Sequence, residues 1–126
     1  MRHAHHECSH HQHNPELMEE NAKINVYHMG LFARFVEKLR NAPDGDGSLL
    51  DHTVLLYGGG MSEGDGHVCR DLPIVLVGGG RGQLEGGRHL RFAMDTPFMN
   101  LGLSLLDKVG VELQSVGDST GRLAGL

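Results

Sequence analysis

Apolar residues recur at intervals of three or four between residues 15 and 41, and charged residues fill many of the positions between them. This spacing is typical of an amphipathic α-helix, which buries one face and presents the other to water. The Asn14 side chain can cap the first turn, Pro15 suits the first helical position, and Glu16 favours the positive end of the helix dipole. We therefore predict a long helix over residues 15–41. Its apolar positions are Leu17, Ile24, Tyr27, Leu31, Phe35 and Leu39.

Two short apolar runs, residues 53–57 and 73–77, predict β-strands because valine, leucine and isoleucine dominate them. Their apolar residues occupy both faces, which is typical of strands that are covered on both sides. Three glycines follow each run and end it. Residues 90–92 predict a short third strand within the glycine-rich segment 53–92. Together with the helices, these strands predict an α/β fold in which helices flank a small mixed sheet.

Residues 96–109 predict a second helix, for which Asp95 or Thr96 can supply the amino-terminal cap. Gly110 suits the carboxyl end of this helix. Residues 111–126 contain glycine and serine with little periodicity, and they predict a tail packed along a surface. The inner stripe of the helix comprises Phe98, Leu101, Leu105 and Val109.

A chain of 126 residues is expected to form one domain, and its hydrophobic content of 39% includes no tryptophan. Eleven basic and sixteen acidic residues give a net charge of −5. This balance argues against nucleic acid or an anionic membrane as a partner, because both bind concentrated positive charge. No apolar run approaches the roughly 20 residues of a membrane span. Residues 1–3 do not resemble the start of a signal peptide, so we expect no export signal in this chain.

Histidine is concentrated near the amino terminus, where six of the ten histidines fall within the first thirteen residues. Residues 1–14 therefore form a histidine-rich segment. His6 and His10 are four residues apart, which places both on one side of a helical turn, and neutral imidazole is a good ligand for zinc and similar divalent metals. The same richness is also typical of an affinity-tag remnant or of a loose tail that scavenges metal.

The segment His6-Glu7-Cys8-Ser9-His10 also matches the H-E-x-x-H pattern of zinc metalloproteases. In that hypothesis the two histidines hold zinc and Glu7 is the general base. The pattern requires a continuous helix, and Pro15 follows too closely for one to be expected. The two cysteines, Cys8 and Cys69, are compatible with a disulfide, with a pair of metal ligands or with two separate thiols.

A longer pattern extends beyond these five residues. His6-x-x-Ser9-His10-His11 is followed by an amphipathic helix and by a glycine-rich strand end at residues 57–64. With further matching segments at 71–80, 87–89 and 117–123, the chain resembles the bacterial HXXSHH-motif family over nearly its whole length. This family has no established activity. Its full-length members generally look exported, and this resemblance is the one indication of where the protein is located.

The order of elements is in turn similar to the carboxy-terminal half of alkaline phosphatase and sulfatase-type enzymes. That resemblance implies that His6, His10 and His67 hold one divalent metal ion. It also implies that Glu63 reaches a second ion, with Asp65 or His89 compensating for the glycine that stands at position 64 in place of a histidine ligand. The enzymes' hydroxyl nucleophile comes from an amino-terminal half that does not match any part of this chain.

The resemblance therefore implies an incomplete domain over residues 1–126, which binds a divalent metal without turnover and requires a missing amino-terminal half or partner chain. Zinc is the expected ion, and the expected substrate of the completed protein is a small phosphate or sulfate ester. A non-catalytic metal-binding or structural module and an H-E-x-x-H zinc protease are the alternatives. The candidate metal ligands are His6, His10, His11, Glu63, Asp65, His67 and His89.

Overall fold

Two helices, four short strands and a third helix follow one another in the computed structural model, which describes residues 2–126. This confirms the predicted α/β class at the level of a small domain with three helices and two small sheets. The elements in chain order are α1 (His5–Ser9), α2 (Pro15–Asn41), β1 (Pro43–Asp44), β2 (Gly47–Ser48), β3 (Leu55–Gly58), β4 (Ile74–Val77), a 3-10 turn (Gly80–Gly82) and α3 (Phe98–Lys108).

The chain forms two compact units. The first comprises residues 2–42 and 55–76, and the second comprises residues 43–54 and 77–126. Each unit is built from two separated stretches of chain, and the prediction of a single domain stays a prediction. Among the described residues, no helix is both long enough and apolar enough to cross a membrane.

Helix α2 spans Pro15–Asn41, as the periodicity predicts. The Asn14 side chain accepts a hydrogen bond from the Glu16 N–H (2.9 Å), which satisfies one of the free donors of the first turn. At the other end, Ala42 is extended because the following residue is Pro43, whose ring disfavours a helical backbone before it. Local sequence signals therefore determine both ends of this helix.

The strands form two separate two-stranded sheets, so the predicted single mixed sheet does not form. Strands β1 and β2 pair antiparallel, and β3 pairs with β4, also antiparallel. The expectation that the latter two strands are covered on both faces is wrong, because Leu56 and Val75 are exposed. Residues 90–92, predicted as a third strand, lie in an exposed irregular loop.

In the first unit, α1 packs on α2, and the Phe32 ring of α2 stacks on Tyr57 of β3 with centroids 4.5 Å apart. Gly58 ends β3 where the next strand approaches closely. A Cβ at this position would lie 2.5 Å from the Pro73 carbonyl oxygen, so only glycine fits without displacing the backbone. These contacts bring the end of β3 and the loop after it onto the same unit as the histidine-rich segment.

In the second unit, α3 begins at Phe98 rather than at residue 96, and Pro97 occupies its amino-terminal cap position. The predicted cap by Asp95 or Thr96 is wrong, since the Thr96 hydroxyl instead donates to the Ala93 carbonyl (2.7 Å). The predicted inner stripe is correct at Leu101, which is buried, but Phe98 and Val109 are exposed. The other buried residues of α3 are Asn100, Leu103 and Ser104.

The tail 111–126 is held by polar groups of α3. The buried Asn100 side chain accepts the Thr120 N–H (2.8 Å), and the Ser104 hydroxyl accepts the Leu123 N–H (2.8 Å). Arg122 pairs with Asp107 through two nitrogens. These side chains supply the hydrogen bonds that the irregular tail backbone cannot make with itself.

The Asp107–Arg122 pair is expected to make stability depend on pH. The Arg122 guanidinium, by donating hydrogen bonds, holds the pKa of Asp107 below its usual value. A carboxyl whose pKa is lower in the folded state than in the unfolded state stabilises the fold at pH values above its unfolded-state pKa. This stabilisation is lost as the pH falls through the folded-state pKa. In urea unfolding between neutral pH and about pH 3, the Asp107→Asn variant should lose less stability on acidification than the wild type. Asp118→Asn, which removes an exposed carboxylate of the tail 111–126, is the control and should follow the wild type.

Candidate metal centre

Three predicted ligands converge in the first unit. The ligand atoms of His11, Glu63 and Asp65 all lie within 4.8 Å of one another. His11 Nε2 is 3.3 Å from Glu63 Oε1, and His11 Nδ1 is 3.9 Å from Asp65 Oδ2. All three residues are half-buried. The group therefore combines one imidazole and two carboxylates, a donor set that suits a divalent ion.

Hydrogen bonds within the loop orient the Glu63 carboxylate. One of its oxygens accepts the Asp65 N–H (2.8 Å) and the other accepts the Gly66 N–H (2.6 Å). These backbone donors, Gly66 first, hold the pKa of Glu63 below its usual value, although burial and Asp65 oppose them. Glu63 also forms an antiparallel bridge with Val68, which closes the loop. The carboxylate is consequently fixed in position and ionised at neutral pH.

The histidine-rich segment and the loop after β3 are joined directly. The Gln12 N–H donates to Asp65 Oδ1 (3.0 Å), which ties the residue after His11 to the acidic loop. A Cβ at Gly64 would lie 3.0 Å from the Ser9 Cβ, so the absence of a side chain allows the end of α1 to approach the loop. The resemblance to phosphatases predicts a metal-binding histidine at position 64, and packing gives a physical reason for glycine there.

The environment of His11 determines which ring nitrogen is available to an ion. The His13 N–H donates to His11 Nδ1 (3.1 Å), so Nδ1 is already used as an acceptor and Nε2 is the ring nitrogen left for an ion. This Nε2 faces Glu63 Oε1 at a distance of 3.3 Å. Two ligands of tetrahedral zinc, each about 2.0–2.1 Å from the ion, are separated by roughly 3.3 Å. A zinc ion can therefore bind between these two atoms with little movement of either side chain.

Beside these ligands, three further predicted histidines form a chain of ring contacts. The His6 and His10 rings have centroids 4.5 Å apart, as their four-residue spacing predicts, and the His10 and His67 rings are 4.8 Å apart. Both pairs meet edge to face, and His67 has a left-handed backbone with a φ of 53°. We define His6, His10 and His67 as the imidazole cluster. The prediction that these three residues share one ion stays a prediction.

His89, the remaining predicted ligand, belongs to the second unit and is exposed in the loop between β4 and α3. The second unit also contains a feature that the sequence reading missed. His52 Nδ1 is 2.8 Å from an Asp44 carboxylate oxygen and its Nε2 is 3.2 Å from Asp46. These contacts link the β1–β2 hairpin to the segment before β3. Such pairs of carboxylates around one imidazole are not recognisable from sequence spacing alone.

The protease hypothesis receives little support from the backbone. Helix α1 spans only His5–Ser9, and His10 is its carboxyl cap with φ −94° and ψ 54°. The H-E-x-x-H segment therefore does not lie in a continuous helix, as the nearby Pro15 predicts.

Cys8 and Cys69 are both free thiols, the first buried and the second exposed. Burial raises the pKa of the Cys8 thiol, and the Glu20 carboxylate raises it further.

Glu20 and its partners were missed by sequence reasoning. Its carboxylate accepts the backbone N–H groups of Arg2 (3.2 Å) and His3 (3.3 Å), which anchors the start of the chain on α2. Burial would raise the pKa of Glu20, but these donors lower it below its usual value. A glutamate in a helix carries no sequence signal for such a distant role. The amino-terminal segment is therefore attached to the rest of the first unit at both of its ends, whereas a loose tail would be attached at one end.

The chain matches no model of a known protein family, and neither a curated protein nor a solved structure matches it.

Proposed function

We propose that this chain binds a divalent metal ion, zinc in preference to others, through His11, Glu63 and Asp65. The observation that supports this most strongly is the convergence of their ligand atoms within 4.8 Å. Nitrogen and carboxylate ligands in one small group suit zinc, whereas calcium and magnesium prefer all-oxygen sets. An ion would also offset the repulsion between two neighbouring carboxylates.

The imidazole cluster supports the same proposal from a second side. His10 is adjacent in sequence to His11, and His67 lies two residues after Asp65, so the cluster and the three converging ligands occupy the same two segments of chain. The ring contacts join these segments at a second place. Small rotations of the imidazoles could supply a fourth ligand, which completes the tetrahedral set that zinc favours.

We further propose that the bound ion belongs to an incomplete ester-hydrolase-like site of the HXXSHH and alkaline phosphatase type. The resemblance of the motifs supports this, together with the small α/β fold. A bound divalent ion supplies Lewis-acid stabilisation of phosphate or sulfate oxygens. In this chain, Glu63 and Asp65 orient the ion and His11 completes its first contacts. Because the matching segments do not include a nucleophile, the chain alone should bind metal and leave a chromogenic phosphate or sulfate ester uncleaved.

Isothermal titration of the metal-free chain with Zn²⁺ tests the binding proposal. The His11→Ala variant is expected to bind at least about tenfold more weakly, because it removes the only nitrogen among the three converging ligands. His13→Ala is the matched control, since it removes a neighbouring imidazole but keeps the backbone N–H that orients His11. His89→Ala should bind as the wild type does.

Equal losses in His11→Ala and His13→Ala would contradict the site and identify a histidine tail that scavenges metal. Unchanged affinity in His11→Ala would exclude it as a ligand. Ester cleavage by the wild-type chain alone, lost on chelation, would contradict the proposal that the hydrolase-like site is incomplete.

A further inference from the structure

Glu20 is an acidic residue of α2 that is largely covered, although it is not one of the converging metal ligands. Its side chain is only 12% exposed, whereas glutamates of surface helices usually face the solvent. A carboxylate that is removed from water loses its hydration, which is unfavourable unless hydrogen-bond donors replace the lost water. The donors that surround this carboxylate therefore indicate what it does.

The described hydrogen-bond partners of the Glu20 carboxylate all lie in residues 2–8. Its Oε2 accepts the backbone N–H groups of Arg2 (3.2 Å) and His3 (3.3 Å), and the His3 ring nitrogen Nδ1 is also 3.3 Å away. The Cys8 thiol, which is fully buried, donates to the same oxygen at 3.9 Å. This one carboxylate therefore attaches both the start of the chain and the inner side of α1 to α2.

Helix α1 depends on such contacts because it is very short. It spans five residues, and isolated helices of fewer than about 12 residues are marginal in water. Its last hydrogen bond runs from the His10 N–H to the His6 carbonyl (3.1 Å). The helix thus begins just after the residues that Glu20 holds, and it ends just before His11. Loss of the attachment at Glu20 is expected to free this whole stretch of chain.

We propose that Glu20 is a positioning residue for the candidate metal site, because its carboxylate fixes α1 and thereby holds His11 against the acidic loop. This role rests on the proposed zinc function, since it concerns the same site. Glu20 itself does not bind the ion. The apparent affinity for an ion is reduced by the fraction of chains in which the ligands are in place. If α1 is docked in only about a tenth of the chains, the affinity falls about tenfold.

Titration calorimetry of the full metal-free chain with Zn²⁺ tests this role. Glu20→Leu keeps the bulk and helix preference of the side chain but removes every acceptor, so it should bind Zn²⁺ about tenfold more weakly. Glu20→Gln keeps one oxygen that can accept these N–H groups and should lose less. Glu19→Leu is the matched control. It removes the same charge from α2, but Glu19 is 69% exposed and pairs with Lys23, so it should bind Zn²⁺ as the wild type does.

Two spectroscopic measurements separate positioning from ligation and from a general loosening of the fold. In the metal-free Glu20→Leu variant, hydrogen exchange at the His10 N–H should be at least about fivefold faster than in the wild type, and Zn²⁺ should restore its protection. Exchange at the Val68 N–H, which donates to the Glu63 carbonyl (2.9 Å), should not change. The Co²⁺-loaded variant should keep the absorption bands of the wild type, because no ligand is lost.

Wild-type zinc affinity in Glu20→Leu, equal losses in Glu20→Leu and Glu19→Leu, or unchanged exchange at His10 would each overturn the positioning role. Displaced Co²⁺ bands in Glu20→Leu would also overturn it, since they would make Glu20 a ligand. The His11→Ala variant, titrated in parallel, distinguishes this result from the proposed function. Unchanged affinity in His11→Ala would remove the site itself. A loss in His11→Ala with wild-type affinity in Glu20→Leu would remove only the role of Glu20.

Discussion

Glutamine in place of Glu63 is expected to lower the affinity of the chain for Zn²⁺ by about 100-fold. The substitution removes the negative charge that faces His11 Nε2 at 3.3 Å. It also replaces one carboxylate oxygen by an amide N–H₂ group, which cannot accept the backbone N–H that the oxygen accepts in the wild type. Both changes weaken the same site. The first removes the charge of a ligand, and the second removes a hydrogen bond by which the loop orients that ligand.

Titration calorimetry at neutral pH measures this loss, and Glu7→Gln provides its control. Glu7 is an exposed carboxylate of α1 in the same unit, and it would be the general base in the protease hypothesis. Glu7→Gln should bind Zn²⁺ as the wild type does. Wild-type affinity in Glu63→Gln would remove Glu63 from the ligand set. Thermal unfolding of both variants without metal separates the loss of the ligand from a general loosening of the fold.

Alanine in place of Gly78 is expected to destabilise the second unit by about 3 kcal/mol or more. Gly78 has a φ of 112°, and a Cβ built on it would lie 2.1 Å from the Thr53 carbonyl oxygen. Residues with a Cβ rarely adopt this backbone conformation, and the clash is with backbone rather than with a movable side chain. The chain must therefore shift where residues 53 and 78 meet.

Gly82→Ala is the matched control for this prediction. Gly82 also has a left-handed backbone, with a φ of 83°, but a Cβ there would meet no atom within 4 Å. Its expected cost is therefore the conformational one alone, about 1 kcal/mol. Urea unfolding followed by circular dichroism gives both free energies. If the two variants were equally stable, the close approach at Gly78 would have no energetic consequence.

The sequence predicts both ends of α2, residues 15 and 41, because its signals are local. An asparagine cap, a proline at the first position and a proline after the last turn all act on adjacent backbone. The positions of β3 and β4 were also predicted to within two residues, since short apolar runs bounded by glycines have few alternatives. The short strands β1 and β2 were not predicted, and the strand predicted at residues 90–92 does not form. The burial of β3 and β4 was not predicted correctly, because burial depends on what packs against a strand and not on the strand itself.

The candidate site is predictable in composition but not in arrangement. All three converging residues were among the predicted ligands, since histidines and acidic turns are visible in a sequence. That His11 faces the acidic loop depends on the chain turning after His10, where Gln12 and His13 both adopt left-handed backbone with φ of 45° and 60°. Glutamine carries no signal for such a conformation, and histidine, although enriched in it, adopts it only in a minority of cases. The contact also joins residues more than fifty positions apart, which local spacing cannot determine.

This separation along the chain has a thermodynamic consequence. An ion held by His11 and the acidic loop would act as a reversible crosslink, since it would join two distant points that are free to separate when the protein unfolds. Because the ion binds only where these points meet, it would stabilise the folded state by mass action, and more strongly as the concentration of the free ion rises. The amino-terminal segment would then be more ordered at higher concentrations of the ion.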